Sequence, residues 1–178
     1  MEAQTTETPA RTKGLTHRLL NELTVVANVK PGHEKQIREG ILDTFVGRAG
    51  IQPAEQTASA AKTSLHDART LLLDNDTRFI LLTSYEGDWD KYFDDHFAAF
   101  GRTWNRFFEH CEGVDGDVLV DNGKMKDWLY AHQVTAVSWG SKHSGALIEE
   151  SLRALEVQTA FHQVVDHPDA ARAFEHPA

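Results

Sequence analysis

Residues 64–111 read SLHDARTLLLDNDTRFILLTSYEGDWDKYFDDHFAAFGRTWNRFFEHC. Two strand-like runs, Leu65–Leu73 and Arg78–Tyr85, flank Asp74-Asn75-Asp76-Thr77, whose short polar side chains suit a tight reversal. From about Asp88 to Cys111 the period changes to 3.6. Trp89, Phe93, Phe100, Phe107 and Cys111 then form one apolar stripe. Acids at Asp88, Asp90, Asp94 and Asp95 favour the start of that helix through its dipole and its unpaired N–H groups. A hairpin that feeds one face-burying helix is half of a ferredoxin-like βαββαβ unit.

The other half lies on either side. Upstream, Asn21–Lys30 (NELTVVANVK) is a β-branched strand closed by Pro31-Gly32. His33–Ala49 then carries Ile37, Ile41, Leu42 and Phe45 at helical spacing, with Gly50 as a C-cap. Residues 51–63 read as a loop. Downstream, Gly113–Asp121 reads as a turn and a short extended piece, and Lys124–Ala131 as a helix of one or two turns. Gln133–Trp139 (QVTAVSW) is the fourth strand, and Ser144–Asp166 is a long amphipathic helix. The order β-α-β-β-α-(insert)-β-α predicts an α+β fold. It has a four-stranded antiparallel sheet with helices on one face and an extra C-terminal helix. Residues 1–19 are expected to be a flexible arm, 20–166 the domain, and 167–178 a tail.

The chain has 178 residues and a formal net charge of −9. No Lys/Arg cluster stands out, which argues against a nucleic-acid or anionic-membrane partner. The single cysteine, Cys111, leaves no disulfide framework or Cys-based zinc site within the chain and fits a reducing, cytoplasmic setting. No apolar run reaches the ~18 residues of a membrane span, and the N-terminus lacks the apolar core of a signal peptide.

Asn21–Gly32, Leu65–Leu73 and Arg78–Phe97, with Tyr85-Glu86-Gly87-Asp88 leading from strand to helix, resemble the dimeric α/β-barrel superfamily. There, two ferredoxin-like sheets close into a barrel. The resemblance covers roughly residues 20–165 and rests on element order. The superfamily contains antibiotic-biosynthesis monooxygenases, small cyclases, haem proteins of the dye-decolourising peroxidase and chlorite dismutase type, and members that only bind ligands. It implies a homodimer with an apolar, sheet-lined cavity for a hydrophobic small molecule. An oxidoreductase of monooxygenase or peroxidase kind, using either haem or no cofactor, is the leading expectation. A cofactor-free cyclase or isomerase, or a non-catalytic ligand-binding protein, is the alternative.

Several polar residues are candidates for the chemistry. None of the ten histidines shows the spacing of a zinc motif, and His17, His33, His143, His167 and His176 lie in polar segments. His96 falls within the apolar stripe of its helix. It is either a core histidine bonded to backbone or carboxylate, or a haem or metal ligand. His162 lies on the helical face of Ile148, Leu152, Leu155 and Thr159, with the same two readings. Haem members of the superfamily place their proximal histidine on a helix beside the sheet.

On the strand Leu65–Leu73, alternation puts His66 with Ala68 and Thr70, and Asp67 with Arg69. Only a bulge would bring His66 and Arg69 into one cavity. Arg69 either binds a substrate carboxylate or pairs with Asp67, Glu86 or Asp88. Tyr85, Trp128 and Trp139 are polar-tipped aromatics near strand ends, and His132 precedes the last strand at a cavity mouth. His66, Arg69, Tyr85 and His132 are thus the candidate catalytic set, and His96 and His162 the candidate cofactor ligands. The carboxylates of the aromatic helix are spread around its axis and predict no metal site. Phosphate-binding glycine loops and a nucleophile elbow are absent from the sequence.

Overall fold

The computed structural model describes residues 14–45, 64–141 and 145–166, with the side chains of Phe100 and Arg102 outside that description. The expected arm Met1–Lys13, the loop 51–63, the Gly50 cap and the tail His167–Ala178 lie outside the described residues.

The elements are β1 (Thr16–His17), β2 (Leu20–Asn28), α1 (Glu34–Phe45), β3 (Leu65–Leu73), β4 (Arg78–Glu86), α2 (Trp89–Phe108), α3 (Gly116–Val120), α4 (Asn122–His132), β5 (Gln133–Val134) and α5 (Ile148–Val165). All strand pairs are antiparallel, and the order across the sheet is β5-β2-β4-β3, with β1 sharing the β5 edge of β2. With β2, β3, β4 and β5 as strands one to four, this is the 4-1-3-2 order of a ferredoxin-like fold. The expected α+β architecture of the resembled superfamily is the one observed, and the sheet begins before residue 20, at β1.

The β3–β4 reversal works because Asp74, Asn75 and Asp76 take φ of 53°, 57° and 68° in succession, a region that Asn and Asp tolerate best after glycine. The amide of Thr77 closes the turn on the Asp74 carbonyl. Helix α2 starts where Asp88 caps the amide of Lys91 at 3.0 Å.

Alternation along the strands divides the sheet. Leu23, Val25, Ala27, Phe79, Leu81, Thr83 and Tyr85 are buried on one face. Helix α2 supplies Trp89, Tyr92, Phe93, His96, Trp104, Phe107 and Phe108 to the same core, and α4 adds Met125, Trp128 and Leu129. Tyr92, Trp104 and Phe108 widen the stripe read from the sequence. Phe100, also read into it, has no described side chain. On α1, Ile37 is buried but Leu42 is 47 % exposed, so the buried stripe is narrower than predicted.

Three segments depart from the sequence reading. Gly116–Val120 is helical, because the Asp115 carboxylate accepts from the amides of both Asp117 and Val118. The fourth strand pairs only at Gln133–Val134, opposite Val25 and Thr24. Beyond it the edge of β2 is taken by other groups. Leu15 accepts from the backbone amide of Glu22, β1 pairs at Leu20 and Asn21, and the Glu22 carboxylate takes the Ala136 amide. Finally, α5 has no buried residue along Ile148–Val165, so it does not lay an apolar face on this chain's sheet.

Candidate functional site

The second face of the sheet is covered by none of the described helices. Register places its side chains in rows. Glu22, Ser84 and Asp67 form the first. Val134, Thr24, Leu82 and Arg69 form the next, followed by Val26, Ile80 and Leu71. Asn28, Arg78 and Leu73 form the last. One end of this face is polar and the middle is apolar, with Leu71, Leu73 and Val134 each more than 40 % exposed.

Glu22 anchors the polar end. It is 4 % exposed, and its carboxylate accepts from the Leu15 amide at 3.2 Å, the Ala136 amide at 2.7 Å and the Thr24 hydroxyl at 2.8 Å. A buried carboxylate holds its charge only when its oxygens are satisfied in this way. The Ser84 hydroxyl donates to Asp67. Arg69 makes no ion pair with a carboxylate among the described residues. Its expected partners are otherwise engaged: Asp67 by Ser84, Glu86 by His66 and the Ile148 amide, and Asp88 by its cap. Trp139 closes the side, edge-on to His17 with centroids 6.0 Å apart. Glu22, Thr24, Asp67, Arg69, Ser84 and Trp139 border a cavity of about 30 Å³. That is about the size of a water molecule, so on this face a substrate-sized space needs a second wall. The larger open clefts, about 580 and 480 Å³, lie at the edge around Glu86, Lys91 and Leu147.

The candidate catalytic residues do not all meet. The β3 register slips between Leu65 and Asp67, leaving His66 as the extra residue. A bulge turns a side chain out of strict alternation, and His66 points to Glu86, its Nε2 3.3 Å from that carboxylate. The bulge thus releases His66 from strict alternation and turns it to Glu86, and His66 does not border the small cavity that Arg69 lines. Tyr85 lies on the opposite, helix-covered face, stacked on Tyr92 at 4.2 Å. Burial drives its phenol above the ordinary range, and the Asp88 and Glu22 charges add to this. His132 is held to α4: its Nδ1 is 2.8 Å from the Trp128 carbonyl, and its ring stacks on Trp128 at 4.3 Å.

The two candidate haem ligands do not fit the group. His96 is 0 % exposed and wedged between Tyr92 and Trp104, with ring centroids 4.7 and 4.8 Å away. A macrocycle cannot enter that packing without dismantling the core. His162 stands exposed on α5, 3.5 Å from Asp166, on a helix none of whose residues is buried among the described residues. Among the described residues no group of three or more His, Cys, Asp or Glu side chains could hold a metal. Asp90 and Asp94 of α2 pair with Lys126 instead. Burial pushes the Cys111 thiol up to about 12, against the pull of Lys30, as suits a small core residue. No described helix is long and apolar enough to cross a membrane.

Burial pulls His96 down to about 4, with Asp95 opposing. Above its unfolded value of about 6.5 both states hold a neutral ring. As pH falls, the unfolded chain takes the proton and the folded one refuses it. Stability from this group is therefore full above about pH 6.5 and is lost progressively toward pH 4, by on the order of 3 kcal/mol. Urea unfolding at pH 7 and 4.5 checks this. His96→Phe should have a shallower pH slope, and an unchanged slope would assign the acid sensitivity elsewhere.

Sequence reasoning missed Glu22, Thr24 and Ser84. A signal was present: Glu is depleted in strands, and Glu22 and Thr24 share a face of the run NELTVV.

No protein-family model matches the chain, and no curated protein matches it. Among solved structures, the chain is similar to a protein from Bordetella bronchiseptica provisionally described as an antibiotic biosynthesis monooxygenase. Identity is 14%, coverage 52% of this chain and 86% of that one, and the TM-score 0.38. A protein from Nitrosomonas europaea with the same provisional description has 15% identity, 56% and 86% coverage, and a TM-score of 0.38.

Proposed function

We propose that this chain is a small-molecule enzyme whose site is the open face of the sheet, closed by the same face of a second copy. The carrying observation is the Glu22–Ser84–Asp67 row beside Arg69, set at one end of an exposed apolar surface. Close-packed sheets stand ~10 Å apart with side chains filling the gap. A flat apolar ligand between the rows of Val26, Ile80, Leu71 and Leu82 therefore requires the two faces to stand further apart than that, as the walls of a barrel do.

The roles divide by hydrogen bonding. Glu22 already accepts from three groups, so it holds Thr24 and the chain at Ala136 in place. Asp67, oriented by Ser84 and exposed, is the proton acceptor. Arg69, one row away, stabilises the substrate oxyanion or enolate formed when Asp67 takes a proton. His66, on Glu86 at the margin, relays that proton outward. An electron-rich anion held in a dry cavity is the species dioxygen oxidises, so the reaction is a monooxygenase-type oxidation without haem of a methylene activated by an enolisable carbonyl or a phenol. The substrate supplies all four electrons to dioxygen, one oxygen atom becomes the new carbonyl, and the other leaves as water with the two methylene hydrogens.

Oxygen uptake with a panel of polycyclic phenols and enolisable ketones tests the reading. Asp67→Asn should lower turnover by roughly 10²–10⁴-fold while leaving ligand binding in place. Conversion of the panel without oxygen uptake would make the protein a cyclase or isomerase. Sedimentation at micromolar concentration should show a dimer burying well over ~1,000 Å², and a monomer would remove the second wall and with it the site.

A further inference from the structure

Where β2 ends, His33 and His110 face each other with their Nδ1 atoms 3.0 Å apart. Their ring centroids are 5.2 Å apart, so the two Nδ1 lone-pair directions run nearly head-on. That is the geometry of one shared proton. A metal would need both lone pairs to converge on a point ~2.0–2.1 Å from each nitrogen.

The pair joins three elements. The His33 carbonyl accepts from the Ile37 amide at the start of α1, and its own amide donates to Lys30. His110 follows the end of α2. Its amide donates to Phe107, and its carbonyl accepts from Lys30. The Glu109 carboxylate lies 3.6 Å from the His110 Nε2, beyond hydrogen-bond range, and its charge favours the tautomer protonated at Nε2. Nδ1 of His110 is then the acceptor, and His33 donates its Nδ1–H.

The charged groups around the pair come from every neighbouring element. Lys30, at the end of β2, is held by the carbonyls of Glu109 and Val114. Glu34 of α1 accepts from the Gly32 amide. Glu109 lies beside His110, Cys111 is buried behind it, and Glu112 accepts from Asn28. None of these groups supplies a second acceptor for the bonded nitrogens.

We propose that His33 and His110 form an acid-labile clamp that holds the start of α1 against the end of α2. A first proton goes to Nε2 of His33 and turns the bond into a charge-assisted one, which strengthens it. A second proton has no place except the Nδ1 of His110 that already accepts the bond. Taking it sets two cations head-on, beside Lys30, and breaks the link. Burial lowers the basicity of His110, Glu109 opposes this, and His33 and Lys30 lower it further. The clamp therefore opens below the ordinary histidine range.

Long-range ¹H–¹⁵N spectra of the full chain, collected from pH 8 to 4, test the idea. The Nδ1 of His110 should stay unprotonated well below pH 6.5, and His33→Phe should raise the value at which it titrates by about one unit. Hydrogen-exchange protection of the α1 amides at Ile37 and Arg38 should fall in acid, relative to amides of β4. His110→Gln keeps a side-chain acceptor that does not titrate in this range. It should retain that protection to lower pH, and it serves as the test if His33→Phe does not fold. A His110 Nδ1 that takes its proton near pH ~6.5 in the wild type would overturn the clamp. So would α1 protection that falls as steeply in His110→Gln as in the wild type.

Discussion

Gly40→Ala should destabilise the chain by ~2 kcal/mol or more, or prevent folding, although alanine is the better helix former. Gly40 is buried on α1, against the backbone of α2. A Cβ there would lie 2.8 Å from the carbonyl carbon of Arg106, with the carbonyl oxygen closer still. Because the obstacle is backbone, no rotamer change relieves it, and the two helices must part. Overpacking of this kind costs roughly 1–3 kcal/mol and occasionally more, against a propensity gain of ~1 kcal/mol. Gly101, in α2, is the control. A Cβ there meets only the Phe97 ring, at 3.6 Å, so Gly101→Ala should stabilise by ~0.5–1 kcal/mol. Urea midpoints that moved the same way for both variants would show that α1 and α2 are not in backbone contact.

Phe107→Ala should cost about 3–5 kcal/mol. Its ring is 0 % exposed and meets Phe45 of α1 at 5.8 Å, Phe79 of β4 at 5.6 Å, and Trp104 and Phe108 of its own helix at 6.4 and 4.6 Å. Truncation leaves a cavity walled by both helices and the sheet, where collapse is hindered on every side. Leu42→Ala, on the outer surface of α1, should cost under ~1 kcal/mol. An equally small effect for Phe107 in equilibrium unfolding would mean that α2 is phased differently on the sheet.

The same contrast explains which parts of the site were legible. Arg69 and Asp67 could be placed on one face from alternation alone. His66 could not, because a one-residue slip in register depends on the partner strand and leaves no mark in local composition. Tyr85 was read toward the cavity. Its face is set by pairing with Asn21 and Leu65 and by the stack on Tyr92, none of which is local. The Glu22 carboxylate became central only because Leu15 and Ala136, far apart in sequence, bring their amides to it.

Sequence by itself determined whatever depends on residues within a few positions of one another. The Asp74–Asp76 reversal follows from side chains that tolerate positive φ, and the start of α2 from the Asp88 cap. The core stripe from Trp89 to Phe107 follows from helical spacing. Element order then left few topologies open, and the ferredoxin-like one is observed. Tertiary structure decided how the edge of β2 is shared. Backbone N–H groups there compete for a limited set of acceptors, so β5 stops at Val134, and the Glu22 carboxylate takes the Ala136 amide, two residues on. It also decided the place of α5. An apolar pattern at helical spacing shows that a face can be buried. Whether it is buried depends on where the helix is tied: α5 is tied at its first amide to Glu86, its first turns border an open cleft opposite Lys91 and Asp95 of α2, and none of its residues is buried.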